Sequence, residues 1–505
     1  MLPSSTSTPV SLKPRQGLGA RAASPHHRAL SYPAAGLAIA SAMLLPGCAS
    51  TSPASVPGGA PAHIATQWHA PLPHGGQVED LHQWWARFDD PLLLRLVAAG
   101  QAVSPTVAQA AARIATARAV GVGQQAALLP ALEAGISASR GRSELGVPTG
   151  ILASTGLQLG WELDLFGAGR AAADAAQARL ESSEAGWHDA RITVAAEVAT
   201  SYVALRACEA RVEQAEMDAR SRGHTVQITR LAVAAGVQPA VAAALAEANA
   251  AQGTLTLLQQ RAHCELLIKA LNALTAAGES ALRRELAAGT GVLPRPTELG
   301  VTAMPAEILA QRPDIHAAAR ELIAASAESD LARTQRWPRI ALAGSIGAAS
   351  SDSLGISTHG AIWSMGPVTV TLPLFDGGAR RANAEAAHVR HESASTVYLA
   401  RLREAIRDVE NALVTLDSTG ARSTQARNAA AGFERAYDAT AASYRAGMAS
   451  LFELEDARRS MLAAQMAVTD LHRDRLLAWI ALYRAMGGGW SPSDVGRAHH
   501  DAARG

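Results

Sequence analysis

The chain has 505 residues, of which only 4% are aromatic, and it carries 45 basic against 44 acidic side chains. The near-neutral balance with no basic stripe excludes a nucleic-acid-binding protein, and three cysteines are too few for a disulfide-stapled scaffold. So few aromatic residues argue against one thick compact core, whereas Ala-rich, Leu-punctuated sequence favours long, closely packed helices.

Residues 1–47 carry Lys13, Arg15, Arg21 and Arg28 and no acid. The apolar run Ala34 to Leu45 is too short to cross a bilayer and suits the hydrophobic stretch of a secretory signal peptide. It ends in Leu45-Pro46-Gly47-Cys48-Ala49-Ser50, which resembles the lipobox of bacterial lipoproteins. Cleavage after Gly47 would leave Cys48 as an acylated N-terminus; the competing reading is a plain signal with an incidental cysteine. By the sorting rule of such lipoproteins, Ala49 after the cysteine implies the outer membrane. Without the leader the chain has 41 basic and 44 acidic residues, a mildly acidic protein. Residues 48–83, rich in Pro, Gly, Ala and Ser, read as an extended tether. No later stretch has 18 consecutive apolar residues, so a membrane crossing would require a β-barrel.

From Trp84 onward the chain says the same thing twice. Pro105, Pro130, Phe166 and Gly236 recur in order as Pro313, Pro338, Phe375 and Gly447, 208 to 211 residues later. Such a period is far longer than a solenoid repeat. It predicts two large units, 84–276 and 305–487, joined by a linker over 277–304 and followed by a polar, disordered tail over 488–505. Asp90-Pro91, Ser104-Pro105 and Arg312-Pro313-Asp314 are helix starts, with helices expected over 106–128 and 314–336.

Each unit then switches to a period of two. Strands are expected over 129–140 and 156–167, and over 339–348 and 366–375. In the second strand Leu157, Leu159, Trp161, Leu163 and Leu165 alternate with Gln158, Gly160, Glu162 and Asp164. In the fourth, Val368, Val370 and Leu372 alternate with Thr369 and Thr371. One apolar and one polar face suit a membrane strand, lipid outside and water inside. A single such hairpin would fit a soluble sheet equally well; two matched hairpins behind a signal favour a barrel. Four strands cannot close a membrane barrel, so the protein must oligomerise.

Each second strand leads into a helix without proline, expected over 168–235 and 378–445 and about 100 Å long. Gly236 and Gly447 are the turn residues, and return helices follow over 240–275 and 449–486. Cys208 and Cys264 each lie 28 residues from Gly236. An antiparallel helical pair turning at Gly236 would set them at one height, either as a disulfide or as two buried small apolar residues.

These motifs together resemble the TolC-like outer-membrane efflux proteins, in particular their lipidated OprM- and NodT-like branch. The residues that carry the resemblance include Trp84-Trp85-x-x-Phe88-x-Asp90-Pro91, Trp161-Glu162-Leu163-Asp164-Leu165-Phe166-Gly167, Arg312-Pro313-Asp314-Ile315 and Leu372-Pro373-Leu374-Phe375-Asp376-Gly377-Gly378. Tyr444-Arg445-Ala446-Gly447 and Tyr483-Arg484-Ala485-Met486-Gly487-Gly488-Gly489-Trp490 complete the set. The resemblance implies a mainly α-helical homotrimer: a 12-stranded outer-membrane β-barrel on a 12-helix periplasmic α-barrel. It further implies a periplasmic adaptor and an inner-membrane pump, usually of the RND type, exporting small toxic compounds. After the second turn, Phe452, Glu453 and Asp456 match the family's periplasmic gate. The first turn lacks an aromatic residue and departs from that pattern.

Other classes fit poorly. The 16 histidines are scattered, and no HExxH, CxxC, P-loop or GxSxG pattern occurs, so no enzyme, cofactor or metal site is expected. A passive porin has no use for 100 Å helices, and a coiled-coil scaffold would lack the clean strand alternation. A conduit for type I protein secretion shares the architecture and is the alternative within transport.

Overall fold

The computed structural model describes residues 81–142, 149–296, 309–353 and 356–491, together with Trp68 and Ala70. The expected signal, Cys48 and most of the tether lie outside the described residues. A 3-10 turn (Leu81–Phe88) leads into α1 (Pro91–Val103) and α2 (Pro105–Ala126). Then come β1 (Ala131–Gly141), β2 (Gly150–Leu163), the 67-residue α3 (Ala168–Ala234), α4 (Ala240–Thr275) and the short α5 (Glu279–Ala287). The second half repeats the order: α6 (Pro313–Thr334), β3 (Arg339–Ser353), β4 (Ile356–Thr371), the 67-residue α7 (Ala379–Arg445) and α8 (Leu451–Ala485). Asp90 and Ser104 cap α1 and α2 with their side chains just ahead of Pro91 and Pro105, satisfying free amides where proline's missing N–H costs nothing.

The strands form one antiparallel sheet in the order β1-β2-β3-β4. They run further towards the hairpin ends than their sequence patterns suggest. The added residues are mostly Gly, Ala, Ser and Thr, which blur alternation without breaking the ladder. At the other end β4 stops at Thr371, before Leu372-Pro373, because proline has no N–H for the ladder. Leu372 therefore lies one residue past the strand rather than in it.

The main core sits midway along the helices. It gathers Trp84, Trp85 and Phe88, the middle of α3 from Ile192 to Cys208, the end of α4, Val409 to Leu416 of α7, Leu476 to Ala485 of α8, and Met486 just after it. Tyr483 meets Trp85 edge-on at 4.7 Å between ring centroids and Trp84 at 5.7 Å, joining the two ends of the repeat pair. The linker segment contributes too, since Leu282 and Leu286 of α5 are buried. Trp490 is also buried, beside His316 at 5.2 Å, so the core extends past residue 488 into the segment expected as tail. Two residues of the expected tether dock as well: Trp68 packs against the core, and the buried Ala70 donates its N–H to Glu410 at 2.9 Å.

A polar network threads this core. Tyr202 donates its hydroxyl to Asp90 at 2.6 Å and accepts from Arg206 Nε at 3.1 Å. Arg206, 2% exposed, also donates to Glu209 and to the Leu286 carbonyl, both at 2.9 Å. Glu209 in turn accepts the Gly291 N–H at 2.9 Å. Burial, with the Asp90 carboxylate beside it, pushes the Tyr202 phenol up to about 12. The start of α6 is fixed similarly. Arg312 holds Asp314 through two nitrogens at 2.9 and 2.7 Å and donates to the Ala485 carbonyl at 3.0 Å. This ties the second unit's first helix to the end of its last.

Cys208 of α3 and Cys264 of α4 form a disulfide, with Cα atoms 5.6 Å apart and both residues buried in the core.

Candidate functional site

The sheet presents two chemically distinct faces. Across its strands Leu163, Ile340 and Val370 form one row and Trp161, Leu342 and Val368 the next. Further rows join Leu132, Leu159 and Met365, then Leu157, Ile346 and Trp363, then Ile136 with Thr155 and two alanines. Met365 and Val368 share this face because a β-bulge at Gly366-Pro367 absorbs the extra residue. The apolar rows end where Arg140, Asp352 and His359 appear on the same face. They cover about 8–10 residues of strand, roughly 21–26 Å of height at a tilt near 40°. That matches the apolar band of an outer-membrane barrel, about 25 Å tall.

The opposite face is mostly polar or small, with Leu152, Ile362 and Ile356 the large apolar residues on it. Ser137 pairs with Ser154 and Ser345 with Ser364, each at 2.8 Å, and Glu133, Gln158 and Glu162 share the face. Gly156 and Gly347 are opposed here, and a Cβ on Gly347 would stand 2.2 Å from the Thr155 carbonyl oxygen. Only glycine permits the two backbones to approach this closely.

Both edges, β1 and β4, are left without a strand partner among the described residues. Edges of this length are open templates for another chain. At the base of the sheet, Trp161 donates its indole N–H to the Leu128 carbonyl at 3.0 Å, tying β2 to the end of α2. Asp164 and Asp376 then act alike as helix starts. Asp164 accepts the N–H groups of Gly169 and Arg170, and Asp376 those of Gly378 and Arg380. These amide bonds, led by that of Arg380, hold the Asp376 carboxyl below its usual range.

At the far ends of the long helices the two turns are built identically. Gly236 (φ 71°) donates to Val233 and Val237 to Ala232; Gly447 (φ 76°) donates to Tyr444 and Met448 to Ser443. Each is a Schellman close, which needs a left-handed residue that glycine supplies without strain. The helices that follow differ. α4 starts after Pro239 with no side-chain cap, whereas α8 has a capping box between Ser450 and Glu453. Glu453 accepts from the Ser450 N–H at 2.6 Å and its hydroxyl at 2.8 Å, and these bonds hold its carboxyl low. Phe452 is 71% exposed, and Asp456 pairs with Arg459 at 3.1 Å on the exposed side.

Above this tip, α8 is bonded to α3. Thr225 donates to Glu455 at 2.7 Å, and the buried Arg458 bonds both Ser221 and Glu455. Arg211 of α3 pairs with Asp470 of α8. Among the described residues no group of His, Cys, Asp or Glu could hold a metal ion.

The family model described as outer membrane efflux protein matches residues 98–277 and 304–488. The chain belongs to the outer membrane efflux protein family. Among curated relatives it is 29% identical over 478 residues to the pyoverdine export outer membrane protein OpmQ of Pseudomonas aeruginosa, covering 92% of this chain and 99% of that one. It is 30% identical over 450 residues to the outer membrane protein OprJ of the same species, covering 86% and 92%. Among solved structures, the outer-membrane channel OprN superposes with a TM-score of 0.73 at 26% identity over 85% of this chain and 96% of that one. This efflux protein is accordingly a protein of the cell outer membrane with a periplasmic helical tunnel fold.

Within that frame, the apolar residues named from sequence share one face of the sheet, except Leu165 and Leu372: β2 ends at Leu163, short of the expected 167, and β4 at Thr371, so both leucines lie beyond the strands. Phe452, Glu453 and Asp456 all stand in the first two turns of α8, directly after the Gly447 turn. Sequence reading missed the bonds from Ser221 and Thr225 to α8, which join residues more than 200 positions apart. It also missed the capping role of Glu453, although Ser450-x-x-Glu453 is the ordinary signature of a capping box.

Proposed function

We propose that this efflux protein is the outer-membrane channel of a tripartite RND-type system, carrying small toxic compounds from the periplasm to the exterior. The carrying observation is a four-stranded sheet with an apolar band of membrane height, two open edges, and a 67-residue helix leaving each half. Three copies pairing edge to edge would make twelve strands, and α3, α4, α7 and α8 from each would make twelve tunnel helices. Leu157, Leu159, Trp161, Leu163, Val368 and Val370 then face lipid, with Leu372 at the periplasmic border, and Glu133 and Glu162 face the water-filled interior. Acylated Cys48 adds an anchor in the same membrane, and an adaptor links the tunnel to the pump.

In this reading three copies of Phe452 close the periplasmic end as an apolar ring, and three copies of Asp456 add a ring of charge. Glu453 adds its own charge while holding the start of α8. The bonds from α8 to Ser221 and Thr225 fix the second hairpin against the first.

The test is the identity of the inner-membrane protein recovered with the full-length channel after cross-linking in its native cells. A proton-driven RND pump is expected. Recovery of an ABC exporter instead would replace small-molecule efflux with polypeptide secretion.

A further inference from the structure

The disulfide stands at a particular place in the first hairpin. Above it, towards the sheet, α3 is densely buried from Ala190 to Cys208, and α4 buries Ile268, Leu271 and Thr275. Below it, towards the Gly236 turn, the packing thins. Between Cys208 and Cys264 the buried residues are Ala215 and Thr229 on α3 and Ala246 and Gly253 on α4. These are small side chains with little apolar area to hold two helices together. Leu231, Val237, Val241 and Leu245 stay exposed on the same stretch. A lone chain thus has a well-packed upper hairpin and a lower one with weak internal cohesion, and the disulfide lies at their boundary.

Both cysteines are nearly out of solvent, 3% exposed for Cys208 and 7% for Cys264. No bulky oxidant reaches either sulfur once α3 and α4 have packed, so the bond must form on a chain that is still open. The chain has one other cysteine, Cys48 in the leader boundary. Two thiols in the remainder allow a single pairing and leave nothing to reshuffle. An outer-membrane protein crosses the periplasm, where disulfides are formed and kept.

We propose that a periplasmic dithiol–disulfide oxidase acts on this chain before trimerisation, and that the Cys208–Cys264 bond it installs is needed for efficient assembly of the channel. One chain thiolate attacks the oxidase disulfide, forming a mixed disulfide and releasing one oxidase thiolate. The second chain thiolate then attacks the chain's own sulfur, closing Cys208–Cys264 and releasing the other oxidase thiolate. Two electrons and two protons pass from the chain to the oxidase. The closed loop spans 56 residues, and cross-linking a loop of that size removes chain entropy from the open state. That constraint keeps the lower hairpin paired until neighbouring copies bury its apolar side chains. The inference rests on residence in the outer membrane and is independent of which pump the channel serves.

The experiment expresses the full-length chain, and its Cys208→Ala/Cys264→Ala double variant, with and without a membrane-permeant dithiol reductant in the growth medium. The readout is trimer recovered from the outer membrane. Alanine suits both buried sites, so the variant lacks the bond but keeps a small apolar residue. Reductant is expected to lower the parent's trimer yield several-fold, down to the variant's level, and to leave the variant's own yield unchanged. Maleimide labelling of the denatured, unreduced parent should find neither Cys208 nor Cys264 free. Equal trimer yields for parent and variant without reductant would overturn the proposal. So would an equal fall of both on reduction, or two free thiols in the parent.

Discussion

Replacing Arg206 by alanine is expected to destabilise the helical region by about 3–5 kcal/mol, the cost of breaking a buried ion pair by removing one partner. The side chain is enclosed and each of its bonds has a distinct owner: Tyr202, Glu209 and the Leu286 carbonyl. Removing it leaves the part-buried Glu209 carboxylate with the Gly291 N–H and the Leu286 carbonyl with the Gly289 N–H but takes the charged donor from both, and removes the planar group lying over the Tyr202 ring at 5.1 Å. Through Tyr202 the network reaches Asp90, the cap of α1, and through Glu209 it reaches Gly291 behind α5. Lysine should recover only part of the loss, because one ammonium cannot reproduce the guanidinium fork. Arg179, which pairs with Glu328 at 2.6 Å on a half-exposed surface, is the control. Its alanine variant should cost no more than about 1 kcal/mol. Thermal unfolding followed by helical circular dichroism compares the variants. Equal shifts for Arg206→Ala and Arg179→Ala would show that the core network does not carry the stability assigned to it.

The second large effect belongs to the tunnel end. The double variant Phe452→Ala/Asp456→Ala is expected to raise single-channel conductance in planar bilayers several-fold. In the proposed trimer, truncating three phenyl groups would widen the apolar ring at the gate, and constrictions of that kind block ions chiefly by excluding water. Among the described residues Asp456 pairs with Arg459 on an exposed face, a type of contact worth under about 1 kcal/mol. A conductance change would thus not reflect unfolding of α8, whose start remains closed by Ser450 and Glu453. The opposite control is Ser450→Ala, which should weaken the helix start by roughly 1 kcal/mol and leave conductance much closer to the parent's. Unchanged conductance in the double variant would remove Phe452 and Asp456 from the gate.

Much of this architecture was legible because it is written in spacing. The recurrence of Gly236 as Gly447 located both turns, and the alternation from Leu157 to Leu163 located the apolar face. Proline-free stretches located the two long helices. What stayed hidden depends on partners far apart in the chain. Asp90 and Tyr202 are 112 residues apart, and nothing near either announces their bond. Trp68 and Ala70 lie in a segment whose composition reads as a tether, yet both contact the folded core. Trp490 follows three glycines that suggest a flexible end. Instead Gly487 (φ 79°) makes a turn against the Gln311 carbonyl, and the tryptophan returns to the core. The strands were underestimated for a different reason. Near the hairpin ends both faces carry Ala, Ser and Thr, so the period of two has little amplitude although the ladder continues.

The proposed function is release of small toxic compounds from the cell through this chain in the outer membrane. Its most direct measurement is accumulation of a fluorescent toxic dye in cells lacking the chain but retaining its adaptor and pump, before and after the chain is restored. Dye retention is expected to be high without the chain, and low with it until the proton gradient is collapsed. Identical retention with and without the chain, despite trimer present in the outer membrane, would contradict it.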